Sequence, residues 1–249
     1  MYLNNFKKKV WVIIIITGFL LLSGCSNNTT KSPEQPIDTN RIVCFGNSLT
    51  EGYVGEYPVD KTNSYPHHLQ QYVNIPVINL GYTGATTYDA LGKIAEVLKY
   101  DPTILIIEFG ANDLIHELEN IENLDFGFFV RVQQNLEILF ENFLHNERKV
   151  YLVKFYNYQI FADLLAFFEL DESLIFIYSL YEMIFQNLEE KYEIEVITTI
   201  WDGVWGQLEF MSDIVHPNAE GYRIMAWNYL NWMYEYLIEK DLLIIDLPA

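Results

Sequence analysis

The sequence predicts an α/β domain built as a doubly wound, mainly parallel five-stranded sheet with helices on both faces. Three observations carry this reading. Short apolar runs near 41–46, 76–80, 103–109, 149–155 and 193–199 alternate with helical stretches near 64–73, 86–99, 127–146, 172–191 and 217–239. The third run, Thr103-Ile104-Leu105-Ile106-Ile107-Glu108-Phe109, is almost continuously apolar, as a central parallel strand covered on both faces must be. Residues able to do chemistry follow directly after strands, where a sheet of this kind places its ligand crevice.

The chain begins with Lys7-Lys8-Lys9 and an apolar run from Val10 to Leu22. A charged start and a run too short for a comfortable membrane span have the layout of a secretory signal, here assigned to residues 1–24. The run ends Leu22-Ser23-Gly24-Cys25, which resembles a bacterial lipobox. That resemblance implies cleavage before Cys25 and lipidation of its thiol; the alternative is an uncleaved anchor helix. Either reading places the rest of the protein outside the cytoplasm. Residues 25–40 are rich in Asn, Thr, Ser and Pro without apolar period and read as a flexible tether.

Residues 41–249 are enough for one sizeable core and too few to suggest two full domains. The only two cysteines are Cys25 and Cys44. With Cys25 lipidated, Cys44 is left as a small buried hydrophobe of the first strand, so the domain is expected to fold without disulfides. The net charge of −19 argues against nucleic acid as a partner, since phosphate binding needs clustered Lys and Arg.

The first strand, Ile42-Val43-Cys44-Phe45, runs into Gly46-Asn47-Ser48-Leu49-Thr50-Glu51-Gly52. This reads as a tight turn lifting one serine to the top of the sheet. After the second strand comes Asn79-Leu80-Gly81-Tyr82-Thr83-Gly84-Ala85-Thr86-Thr87, and after the third Gly110-Ala111-Asn112-Asp113. Asp213-Ile214-Val215-His216-Pro217 lies near the C-terminus, with Pro217 suited to a first helical turn. The region 156–192 is crowded with Phe, Leu and Tyr; helices packed on the core are expected there, and a flap over the site is the alternative.

These four blocks, in this order, resemble the SGNH/GDSL hydrolase family over roughly residues 41 to 232. The resemblance implies a flavodoxin-like sheet and a serine hydrolase acting on ester bonds. Ser48 would be the nucleophile and His216 the general base, with Asp213 orienting the imidazole. The oxyanion hole would comprise the Ser48 and Gly84 backbone N–H groups and the Asn112 side-chain amide. Asp113 is expected to hold its loop, and Glu108 to hydrogen-bond loop backbone, because an unpartnered buried carboxylate is costly. His67 and His68 in the first helix, His116 in a polar loop and His145 at a helix end read as structural or surface positions. The departure is Asn47, where the family's motif has aspartate; asparagine is nearly isosteric and leaves the fold reading intact.

No metal site, phosphate loop or dinucleotide fingerprint is visible, so no cofactor is implied. The resulting expectation is a membrane-anchored, extracytoplasmic serine esterase of the arylesterase or lysophospholipase-like kind. It would cleave short to medium acyl or aromatic esters at a pocket edged by Tyr53, Tyr57, Tyr82, Tyr88 and Phe126. A carbohydrate O-deacetylase and a non-catalytic binding lipoprotein are the competing readings.

Overall fold

The computed structural model describes residues 40–145 and 147–244. The segment expected as a signal at 1–24, Cys25 with its expected lipidation, and all of the expected tether but Asn40 lie outside the described residues. Among the described residues, no helix is long and apolar enough to cross a membrane.

Strand β1 (Ile42–Gly46) leads into the one-turn helix α1 (Ser48–Glu51) and then α2 (Tyr65–Leu69). Strand β2 (Val77–Gly81) is followed by α3 (Thr87–Leu91) and α4 (Ile94–Tyr100). After β3 (Ile104–Glu108) come α5 (Ala111–Glu119) and α6 (Gly127–Phe143), and after β4 (Lys149–Val153) come α7 (Tyr158–Phe167) and α8 (Phe176–Tyr192). The short β5 (Glu195–Ile197) and the long α9 (Ala219–Glu239) complete the domain.

The strands form one parallel sheet in the order β2-β1-β3-β4-β5. The order reverses at β1, whose last residue, Gly46, pairs with Gly81 on one side and Glu108 on the other. A crevice outside the carboxyl ends of β1 and β3 follows from that reversal. Every residue of β1 and β3 is buried, which explains their near-continuous apolar sequence.

Helices cover both faces. On one, α2 packs against α9, with the Tyr65 and Tyr229 rings stacked at 4.1 Å. On the other, α6 touches α3, α4 and α8. The Phe45 ring meets Phe109 edge-on at 4.7 Å and Phe143 at 6.2 Å, joining β1 to β3 and α6. Buried aromatic rings of this kind contribute roughly 1.5–3 kcal/mol each by burial alone.

Some elements differ from expectation. The stretch expected as one helix over 86–99 is two: α3 opens with a reciprocal Thr86/Asp89 cap, and Gly92 closes it before α4. Pro217 does not begin α9. It pairs with Met211 in an isolated bridge, while Asn218 caps the helix by accepting the Glu220 and Gly221 N–H groups. Asparagine is the better N-cap, so the helix starts one step later. Residues 111–119, where no helix is expected and His116 is read as part of a polar loop, form α5, which buries Ala111, Leu114 and Leu118 on one face. His116 therefore sits in a helix. The aromatic-rich region consists of α7 and α8, with Phe161, Tyr181 and Phe185 buried in the core as expected of packed helices.

Candidate active site

At the end of β1, Asn47 turns the chain. Its side-chain oxygen accepts the Leu49 N–H at 3.0 Å and so caps α1, whose first residue is Ser48. Asparagine performs this capping as well as aspartate does. Ser48 is 7% exposed. From α9, the Tyr222 hydroxyl donates to the Tyr53 carbonyl at 2.8 Å and, at 3.4 Å, to the Ser48 carbonyl.

The loop before α9 brings the other expected residues to the same point. His216 Nε2 stands 2.9 Å from Ser48 Oγ, and His216 Nδ1 stands 2.7 Å from Asp213 Oδ2. The other carboxylate oxygen, Oδ1, accepts the Val215 N–H at 2.8 Å and the His216 N–H at 2.7 Å. One carboxylate thus braces both the ring and its loop, which the three-residue spacing from Asp213 to His216 makes possible. Partial burial pushes the Asp213 carboxyl up, but the Val215 N–H, the His216 imidazole and the His216 N–H outweigh it and hold it below its ordinary range. With the carboxylate accepting from Nδ1–H, the Nε2 lone pair faces the serine and can receive its proton. The Tyr53 ring meets the imidazole edge-on at 4.8 Å and walls it on one side.

The segments after β2 and β3 close the crevice opposite. Gly84 has a φ of +79°, a conformation that a side chain would strain. The Asn112 side-chain amide donates to the Ala85 carbonyl at 2.8 Å, tying the two segments and leaving its second N–H for another acceptor. Asp113, expected to hold its own loop, reaches instead to the start of α3: it accepts the Thr87 N–H at 2.9 Å and the Thr87 hydroxyl at 2.6 Å.

Glu108 departs from expectation. It bonds no loop backbone; Thr50 donates its hydroxyl to Oε2 at 2.6 Å. Burial raises its pKa to about 8, with the Thr50 hydroxyl and the Asn47 amide pulling the other way. Oε1 is buried without a well-aligned hydrogen bond, so the Asn47 amide acts on the carboxyl only through imperfect geometry. Cys44 is buried and free as expected, and burial pushes its thiol up.

The aromatic residues do not share one pocket. Tyr82 lines a cavity of about 350 Å³ with Gly84, Ala85, Ala90 and Phe109, mouthed by Asp89 and Lys93. Tyr88 borders a separate cavity with Asp113 and His116. Phe126 stacks on Phe129 and Phe176 beside the α6–α8 groove. Among the described residues, no group of three or more His, Cys, Asp or Glu side chains could hold a metal ion.

Sequence reasoning missed Thr50, Glu51 and Tyr222 as supports of the site. The Ser48–Glu51 spacing puts both on one face of a helical turn, a signal usable only if α1 had been expected. Tyr222 carried no signal, being one of eighteen tyrosines.

A serine, imidazole and carboxylate in hydrogen-bonded series on a doubly wound sheet define the serine hydrolase class. The chain belongs to the GDSL-like lipase/acylhydrolase family, whose model matches residues 44–224, and is a hydrolase of ester bonds. No curated protein matches the chain in sequence. Solved structures share the fold. A psychrotrophic esterase from Pseudoalteromonas sp., in a structure inhibited by monoethylphosphonate, superposes with a TM-score of 0.60 at 20% identity over 80% of this chain and 99% of its own. A GDSL-like lipase from Bacteroides thetaiotaomicron gives 0.56 at 22% identity, over 80% of this chain and 90% of its own. A lipase/acylhydrolase from Enterococcus faecalis gives 0.57 at 23% identity, over 84% of this chain and all of its own.

Proposed function

We propose that Ser48 is the nucleophile of an acyl-enzyme mechanism, with His216 as the base and Asp213 holding the imidazole. The 2.9 Å approach of Nε2 to Oγ is the observation that carries this reading. Oγ attacks the ester carbonyl as its proton passes to Nε2. The alcohol then leaves with that proton, and the acyl group remains on Ser48. Water attacks the acyl-enzyme, gives a proton to Nε2, and the acid departs as His216 returns the proton to Oγ. The oxyanion of both tetrahedral intermediates is met by the Ser48 and Gly84 N–H groups and the Asn112 amide. These donors are neutral and already oriented, so they need no protonation change during the reaction.

The substrate class is a carboxylic ester with a short to medium acyl chain or an aromatic group. The apolar cavity beside Gly84, about 350 Å³ and floored by Ala90 and Phe109, supports that size. The small side chains at 85 and 90 leave the room, and Tyr82 and Phe109 supply flat apolar walls. The enzyme works outside the cytoplasm, anchored to a membrane through lipid on Cys25, a reading that Leu22-Ser23-Gly24-Cys25 supports.

A fluorophosphonate probe tests the chemistry, because it demands an activated serine. Labelling at Ser48, lost in Ser48→Ala, is expected, together with turnover of p-nitrophenyl esters that peaks at short to medium chains. A folded protein that stays unlabelled overturns the mechanism; rates rising steadily to the longest chains overturn the substrate class. For the anchor, Cys25→Ser is expected to leave the membrane fraction or remain unprocessed.

A further inference from the structure

We propose that Glu51 is a positioning residue for the oxyanion hole, clasping the segment that carries the Gly84 donor to the helix that carries the nucleophile. Its Oε2 accepts the Thr83 N–H at 2.8 Å, and Thr83 immediately precedes Gly84. Glu51 lies one helical turn after Ser48, its own N–H bonded to the Asn47 carbonyl at 3.0 Å. Nucleophile and donor segment therefore share one anchor.

The rest of that segment gives Glu51 its importance. A Cβ on Gly84 would meet nothing within 4 Å, so the tip of the loop faces open space on that side. The Thr83 hydroxyl is buried without a hydrogen bond and adds no tether of its own. Gly81 lies so close to α1 that a Cβ there would fall 2.1 Å from the Glu51 nitrogen. The loop is thus pressed onto α1, and its other ties include the Tyr82 N–H on the Gly46 carbonyl, the Ala85 N–H on the Tyr82 carbonyl, which closes a turn around Thr83 and Gly84, and the Asn112 amide on the Ala85 carbonyl. The Thr83 peptide is held by the Glu51 carboxylate. A donor displaced by a fraction of an ångström loses much of its value in the transition state while substrate binding is little affected.

This inference rests on the serine-esterase reading, and the experiment separates the two. Wild type, Glu51→Ala, Glu51→Asp and Glu51→Gln are assayed for kcat and KM on p-nitrophenyl butyrate, with thermal melts and fluorophosphonate labelling of Ser48. Glu51→Ala, and Glu51→Asp with its shorter reach, are expected to lose about 10- to 100-fold in kcat at nearly constant KM. Glu51→Gln keeps an acceptor at the same reach and is expected to recover most of the loss, so the effect tracks the hydrogen bond and not the charge. If wild type turns over while folded Glu51→Ala and Glu51→Asp match its kcat, this inference alone falls. It falls equally if Glu51→Gln is as slow as Glu51→Ala, or if the loss lies in KM. A wild type that neither labels nor turns over overturns the esterase reading and this inference together.

Discussion

From within the one-turn helix that begins at Ser48, Thr50 donates a 2.6 Å hydrogen bond to Glu108, a carboxyl only 1% exposed at the end of the central strand. The groups that lower its pKa, the Thr50 hydroxyl and the Asn47 amide, carry no positive charge, and Glu108 in turn pushes up Cys44, Tyr65, Tyr181, Tyr222 and Tyr229. Burial therefore decides its state.

The first prediction follows from its pKa, raised from 4.5 to about 8. Between those values the folded protein keeps a proton that the unfolded chain has released. Stability must fall as pH rises through that window and level off above it. The span corresponds to an order of ~5 kcal/mol. Replacing Glu108 by Gln should flatten this slope, read as Tm against pH for the two proteins. Parallel curves would mean that Glu108 is ionised in the fold at neutral pH.

Asn47 is neutral beside that acid and 2% exposed. Asn47→Asp would set two carboxyls against each other in a buried place, raising the acid further. The variant is expected to keep the α1 cap yet melt lower at pH 8 than wild type, with the gap narrowing toward pH 5. An aspartate variant as stable as wild type at both pH values would contradict this.

Within the site, the order of damage is specific. Ser48→Ala and His216→Ala should each remove nearly all turnover, more than about 10⁴-fold, and their combination should be no worse. Asp213→Asn retains an acceptor for the Val215 and His216 N–H groups but cannot favour the same imidazole tautomer. It should therefore stay folded and lose on the order of ~10⁴-fold. Asn112→Ala removes one of the proposed oxyanion donors and should cost about 10²–10³-fold in kcat, with KM little changed. Steady-state kinetics on folded variants decide each case.

Ala90 floors the cavity beside Gly84. Ala90→Leu should shift preference toward acetyl esters, lowering kcat/KM for the octanoyl ester by at least about tenfold relative to the acetyl ester. Overpacking should cost roughly 1–3 kcal/mol of stability, seen as a lower Tm. An unchanged chain-length profile would remove this cavity from the acyl path.

The sheet was legible because its strands are buried on both faces and read as apolar runs; each strand falls within about two residues of its expected place. Ser48, Asp213 and His216 were singled out by the resemblance of their sequence blocks to a known family, and the fold brings the three side chains together. The one-turn helix α1 left no period to read, being only four residues long. Helix α5 was hidden by its polar face, although Ala111, Leu114 and Leu118 carry a helical spacing. The partner of Glu108 was misjudged for a different reason: sequence announces a buried acid but not which of the surrounding groups, backbone or hydroxyl, will reach it. The division of the aromatic residues among separate cavities is likewise a tertiary fact, set by which helix each ring leans on.

Ser48 and His216 lie 168 residues apart, and the Tyr222 hydroxyl from α9 reaches back to the Tyr53 carbonyl. Their meeting requires the loop before α9 to reach the carboxyl end of β1, across most of the domain. Loop closure over such a span comes late and slowly in folding. Reactivity toward a fluorophosphonate should then work as a clock for renaturation. During refolding from denaturant, far-UV circular dichroism should recover first and covalent labelling last. A chain cut before residue 213 should regain helical signal yet never acquire a reactive serine.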